Sequence, residues 1–187
     1  MPFRVRCGSW SEYVSVGESV LVHKPDSYSH SQAAALPMSA TVAYAAVKAA
    51  GFLSRPVVES LPHKTTRPEE VELEVTDQNP ALLVRKGSDL QSVREAKVAV
   101  IGASSTIGLM VVDMLVSRGV LVVGVSSASS APTVLSNGAV AVLDRNKGGL
   151  EAGSDLQLEV IIDCVGGQVS LLNITLHHYQ TNNSTGD

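Results

Sequence analysis

The segment Val98-Ala99-Val100-Ile101-Gly102-Ala103-Ser104-Ser105-Thr106-Ile107-Gly108 constrains this chain more than any other. Its first four residues form an unbroken apolar run, the mark of a strand buried on both faces. A turn of small residues follows, and a helical pattern then continues from about Ile107 to Arg118 and closes at Gly119. A strand that hands a tight turn to a helix aims backbone N–H groups and the positive helix end at one spot. Small residues there leave room for an anionic group to come close.

The same rhythm recurs downstream. Leu121–Val125, Ala141–Leu143 and Leu158–Cys164 read as further strands, with a short helix near Thr133–Ser136. Asn137-Gly138 and Gly166-Gly167 are stops. Arg145 to Gln157 holds three glycines and is short for a crossover, which argues against a full helix there. Hydrophobic residues at 44% against 4% aromatics suit parallel strands packed under helices. The expectation is an α/β fold with a doubly wound parallel sheet.

Four stretches precede or follow this unit. In residues 1–30, Tyr13–Val16 and Val20–Val22 read as short strands around Gly17-Glu18-Ser19, ended by Pro25-Asp26. Residues 31–51 form an Ala-rich linking helix, expected to break at Pro37 and resume through Thr41–Ala50. Residues 52–95 carry prolines at 56, 62, 68 and 80 and a crowd of Glu, so most of this stretch reads as an exposed loop or insert. Within it Val71, Leu73 and Val75 alternate with Glu72 and Glu74, enough for one edge strand. The strand-and-helix unit occupies 96–170, and 171–187 reads as a polar tail.

In the G-x-G-x-x-G register the three turn positions are Ala103, Ser105 and Gly108, so Ser105 places a side chain at the closest approach to a phosphate. Taken alone, the turn suits any doubly wound protein as well as a dinucleotide binder. The end of the second strand is Ser126-Ser127, with no acid to hold a ribose 2′-hydroxyl. A neutral hydroxyl there favours NADP(H) over NAD, although Ser126–Ser130 is also simply a Ser-rich loop. No Lys or Arg lies between Gly119 and Asp144, and Arg145 is the nearest cation for a 2′-phosphate.

Taken together, these blocks resemble the medium-chain dehydrogenase/reductase superfamily, closest to its quinone oxidoreductase branch. Gly8–Val14 followed by Lys24-Pro25 is similar to the last strands of that family's GroES-like barrel. Ala33–Met38 with Ala43-Tyr44 is similar to its interdomain link. Val98–Asp144 with Gly138-Ala139, and then Ile161–Gly167, resemble the first four strands of its cofactor domain. The resemblance implies an NADPH-dependent oxidoreductase that transfers hydride to a small-molecule acceptor, a quinone or an enone. It places Gly102, Ala103, Ser104, Ser105, Thr106, Ile107 and Gly108 at the pyrophosphate and Ser126, Ser127 and Arg145 at the 2′-phosphate. Val165 and Gly166 would border the nicotinamide ribose and Val42 the ring. It names no catalytic side chain, and it implies a homodimer for full-length relatives.

Several positions depart from that pattern. Ser105 and Thr106 replace glycines, Val42 stands where a Thr is usual, and Arg145 where a Tyr is. Met38 holds the place of the zinc-dependent branch's linker Cys, and no metal is expected. Set against that pattern, the chain is expected to begin within the barrel's last strands and to hold four of the six sheet strands. Turnover is therefore expected to be impaired, and a non-catalytic nucleotide-binding or interaction module is the alternative. Cys164 reads as a buried small hydrophobe rather than a nucleophile. His23, His30, His63 and the pair His177-His178 lack partners at ligand spacing. A net charge of -4 without a basic run points away from nucleic acid, and no apolar run is long enough to span a membrane. With no leader pattern, the cytoplasm is the default compartment, a mitochondrial origin staying open.

Overall fold

The computed structural model describes residues 10–58, 67–166 and, for the backbone, 173–176. The chain divides into two compact units, residues 1–37 and 38–187.

In the first unit the described residues from 10 to 30 are exposed, Lys24 being half-buried. Tyr13–Val16 and Val20–Val22 do not form the expected strands: a 3-10 turn at Glu18–Val20 separates extended stretches. A strand needs a ladder partner, and none of the described residues pairs with this segment. The helix α1 (His30–Ala49) continues through Pro37, contrary to the expected break, and stops before Gly51, whose φ of +81° ends it in the left-handed region.

The second unit is a seven-stranded sheet among the described residues. Its strands are β1 (Leu73–Thr76), β2 (Asn79–Arg85), β3 (Val98–Ile101), β4 (Val122–Ser126), β5 (Ala141–Asp144), β6 (Val160–Asp163) and β7 (Asn173–Leu176). The order is β1-β2-β5-β4-β3-β6-β7. The four central strands are parallel and, counted among themselves, run 3-2-1-4 across the sheet. These are the first four positions of the doubly wound order 3-2-1-4-5-6. The helices α2 (Leu90–Arg94), α3 (Thr106–Val116) and α4 (Ala131–Ser136) complete the unit.

The alternation of side chains along each strand divides the core in two. Val98, Val100, Val122, Val142 and Ile162 face α3 and α4, where Val111, Leu115 and Val134 pack with Ala43, Ala46 and Val47 of α1. Val123, Val125, Ala141 and Leu143 face the other way, onto Leu82, Val84, Val93 and Leu156. Both sets are almost wholly buried, which is why these strands read as continuous apolar runs.

Two expectations fail at the sheet flanks. The described residues of 52–95 are not mostly loop: β1 and β2 form an antiparallel hairpin, and Leu82 and Leu83 pair with Leu143 and Val142. Residues Ala81 to Val84 are buried because β2 lies between two neighbours. Pro80 falls in the irregular part of the hairpin, between the pairs Val75–Leu83 and Thr76–Asn79, where its missing N–H costs no ladder bond. At the other flank, part of the supposed tail is β7, which runs antiparallel to β6 from Asn173 opposite Asp163 to Leu176 opposite Val160. The apolar edge of β6 is therefore paired.

Candidate functional site

At the carboxyl ends of the parallel strands, the β3–α3 turn is built by contacts that admit no extra atom. Gly102 has φ +71°, which favours glycine, and a Cβ there would stand 2.5 Å from Val165 Cγ2. Gly108 lies flat on the turn: a Cβ would collide with the Gly102 carbonyl oxygen and come within 2.9 Å of Ala103 Cα. The Gly102 and Ala103 N–H groups both donate to the Val125 carbonyl, at 3.0 and 3.2 Å, fixing the turn over β4. Ala103 is fully buried, and the space it fills exists because residue 124 is glycine.

Ser105 answers the main objection raised by the sequence. Its φ of -72° and ψ of 161° are open to any residue, so glycine is not required for backbone reasons. Its hydroxyl turns back to accept the Gly108 N–H at 3.0 Å and caps α3. Its own N–H donates to the Gly102 carbonyl at 2.9 Å. Of the α3 N-terminal amides this leaves those of Thr106 and Ile107 without a partner among the described residues. Thr106 is exposed, while Ser104 and Ile107 are half-buried.

The neighbouring strand ends divide the other expected site residues. Ser126 is 2% exposed and donates to the Ser127 carbonyl at 3.3 Å. It shares a sheet face with Val122 and Gly124 and is buried. Ser127 Oγ lies 3.0 Å from both Ser129 Oγ and Ser130 Oγ, a cluster of hydroxyls ending in the exposed Ser129. Arg145, at the end of β5, is exposed. Past β6, the Val165 and Gly166 N–H groups both donate to Asp163 Oδ1, at 2.8 and 3.2 Å, which holds this loop over the turn. Val42 stands half-buried on α1, beside Ala43 and Ala46 that face the core, and so belongs to a helix rather than to the strand-end loops.

Burial and, secondarily, the neighbouring Asp163 raise the Cys164 thiol to about 11, so it stays protonated at neutral pH and is a poor nucleophile. Met38 is 80% exposed. Cys7, His63 and His177-His178 lie outside the described residues. A cleft of about 280 Å³ lies elsewhere, against the β1–β2 hairpin and α2, over Leu82, Val84, Val93 and Leu156. None of the turn residues lines it. The unpaired amides and the absence of room for a Cβ make the turn the better candidate for a nucleotide. Sequence reasoning did not single out Asp144 or Asp163, whose positions just before turns were the available signal.

Over 162 residues, 86% of its length, the chain is 28% identical to the NAD(P)H oxidoreductase RTN4IP1, mitochondrial, of Mus musculus. It is 27% identical over the same span to the protein of that name from Bos taurus. The chain spans about a third of those relatives, 32% of their length. No family model matches it. At this identity and coverage the similarity is to proteins named as NAD(P)H oxidoreductases.

Proposed function

We propose that the strand-end surface binds a nicotinamide dinucleotide, NADP(H) in preference to NAD(H), as the cofactor half of an oxidoreductase. One observation carries this reading: a turn packed too closely for a Cβ at Gly102 and Gly108, with the Thr106 and Ile107 amides unpaired among the described residues at the start of an eleven-residue helix. Those amides would hold the pyrophosphate, with the helix dipole adding its positive end. The hydroxyls of Ser127, Ser129 and Ser130 and the guanidinium of Arg145 would take the adenosine 2′-phosphate, where an acid would repel it. Val165 and Gly166, pinned by Asp163, would border the nicotinamide ribose, and Val42 would flank the ring. When bound, the nicotinamide supplies the hydride for an activated acceptor, a quinone or an enone. The chain's own part is to bind, orient and exclude water. The names of the relatives, as NAD(P)H oxidoreductases and as mitochondrial, fit this reading.

A second reading, nucleotide binding without turnover, is favoured by β7. The doubly wound scheme has a parallel strand beside the fourth, and here the neighbour of β6 is antiparallel. Fluorescence titration with NADPH and NADH, followed by NADPH oxidation with several quinones and enones, separates the readings. Tighter NADPH binding with acceptor-dependent oxidation is the expected result. Binding without oxidation selects the second reading, and no binding of either nucleotide removes both.

A further inference from the structure

We infer that Asp144 is a positioning residue for cofactor choice, the clamp of the turn that presents Arg145; this rests on the reading of Arg145 as the 2′-phosphate cation. Among the described residues, the buried polar or charged side chains are those of Ser126 and Asp144, at 2% and 4% exposure. They are register partners at the ends of β4 and β5. Burying a polar side chain is unfavourable unless it is bonded, and Asp144 is bonded in a particular way. Its Oδ1 accepts the Asn146 N–H at 3.0 Å, and its carbonyl accepts the Gly149 N–H at 3.0 Å. The turn 145–149 thus returns twice onto one residue. Gly148 and Gly149, at φ +100° and +53°, supply the left-handed steps the path requires. A third tie comes from Lys147, whose ammonium donates to the Pro80 carbonyl at 3.1 Å and couples the turn to β2.

The consequence is a division of labour between two cations two residues apart. Lys147 is engaged in holding the turn. Arg145, the first residue of the turn, is exposed, and its guanidinium bonds to none of the described residues. Its backbone is fixed next to the end of β4, where the serine loop begins, before any ligand arrives. Ordering that backbone in advance lowers the entropic cost of binding, and only a ligand that carries a 2′-phosphate gains from it. Removing the clamp should therefore weaken NADPH binding and leave NADH binding nearly unchanged.

The test uses the 187-residue chain and titration calorimetry with NADPH and NADH on the wild type, Arg145→Ala, Asp144→Ala and Asp144→Asn, with thermal unfolding as a check on folding. Arg145→Ala is expected to lower the NADPH-to-NADH affinity ratio about tenfold. Asp144→Ala should lower it by a similar factor. Asp144→Asn, which keeps an oxygen to accept the Asn146 N–H, should restore most of it. Should Asp144→Ala not fold, Asp144→Val takes its place, filling the buried volume without an acceptor. An unchanged ratio in Asp144→Ala or Asp144→Val, beside a lowered one in Arg145→Ala, overturns the clamp while the 2′-phosphate reading stands. An Asp144→Asn variant that loses as much as the alanine variant also overturns it, because charge rather than the turn bond would then matter. An unchanged ratio in Arg145→Ala overturns the underlying reading itself.

Discussion

The β3–α3 turn and the β1–β2 hairpin sit in one sheet and are held by opposite means. The turn depends on backbone against backbone: Gly108 over the Gly102 carbonyl, and the Gly102 and Ala103 amides on Val125. The hairpin depends on side chains, with Leu82 and Val84 buried on one face and Leu83 on the other. A site made of backbone is specific in shape and tolerant of the side chains around it, which is how the turn accommodates the side chains of Ser105 and Thr106. A docked hairpin is the reverse: its backbone path is forgiving, and its few apolar residues are not.

The largest effect should come from the hairpin. Leu83→Ala is expected to destabilise the protein by about 3 kcal/mol in urea unfolding, through lost burial and a residual cavity. Leu73→Ala on the exposed strand beside it should change stability by about 0.5 kcal/mol or less. A Leu83→Ala cost as small as that of Leu73→Ala would mean that the hairpin is a loose attachment, and the comparison would fail. Next comes Gly108→Ala. In an open helix that change would stabilise by about 1 kcal/mol. Here the new Cβ meets backbone that cannot step aside, and a net loss of about 2 kcal/mol is expected in the same assay. A gain in stability would show that the turn has slack. A smaller effect than either the Leu83 or the Gly108 change is expected at the cap. Ser105→Ala should cost about 1 kcal/mol and Ser105→Gly only a few tenths. Equal costs for the two would mean that the Ser105 hydroxyl does not cap α3.

The central strands were legible because burial on both faces leaves an unbroken apolar run, and the glycines after them mark the turns. β2 carried the same signal in Ala81-Leu82-Leu83-Val84, but Pro80 and the Glu-rich approach masked it. Its burial is conferred by β5, a partner far along the chain, and no local pattern announces such a partner. The opposite error occurred at Tyr13–Val22, where strand-like residues have no ladder among the described residues. At the site, the sequence showed which residue types end each strand and not which way they face. Counting by twos from Val122 places Ser126 with Gly124 on the face that carries α3 and α4, so the side it faces was open to arithmetic. The role of Ser105 was also within reach, since serine before a helical run is a preferred cap. Asp144 was not, because its importance lies in the turn that folds back on it.

The antiparallel flanks described for the sheet also bear on the order in which it assembles. β1 and β2 are joined by two residues, and β6 and β7 are the last two strands in the described chain. The parallel pairs, by contrast, join residues separated by whole helices, as Val98 is from Val122 and from Val160. Closing a short loop costs less entropy and is faster than closing a long one. The hairpin at one border can therefore form while the parallel ladder is still open. The ladder, whose contacts are distant along the chain, sets the pace. Both borders of the finished sheet are strands laid down by local pairing. They cover edges that would otherwise offer a template to a second, incompletely folded chain during that slower step.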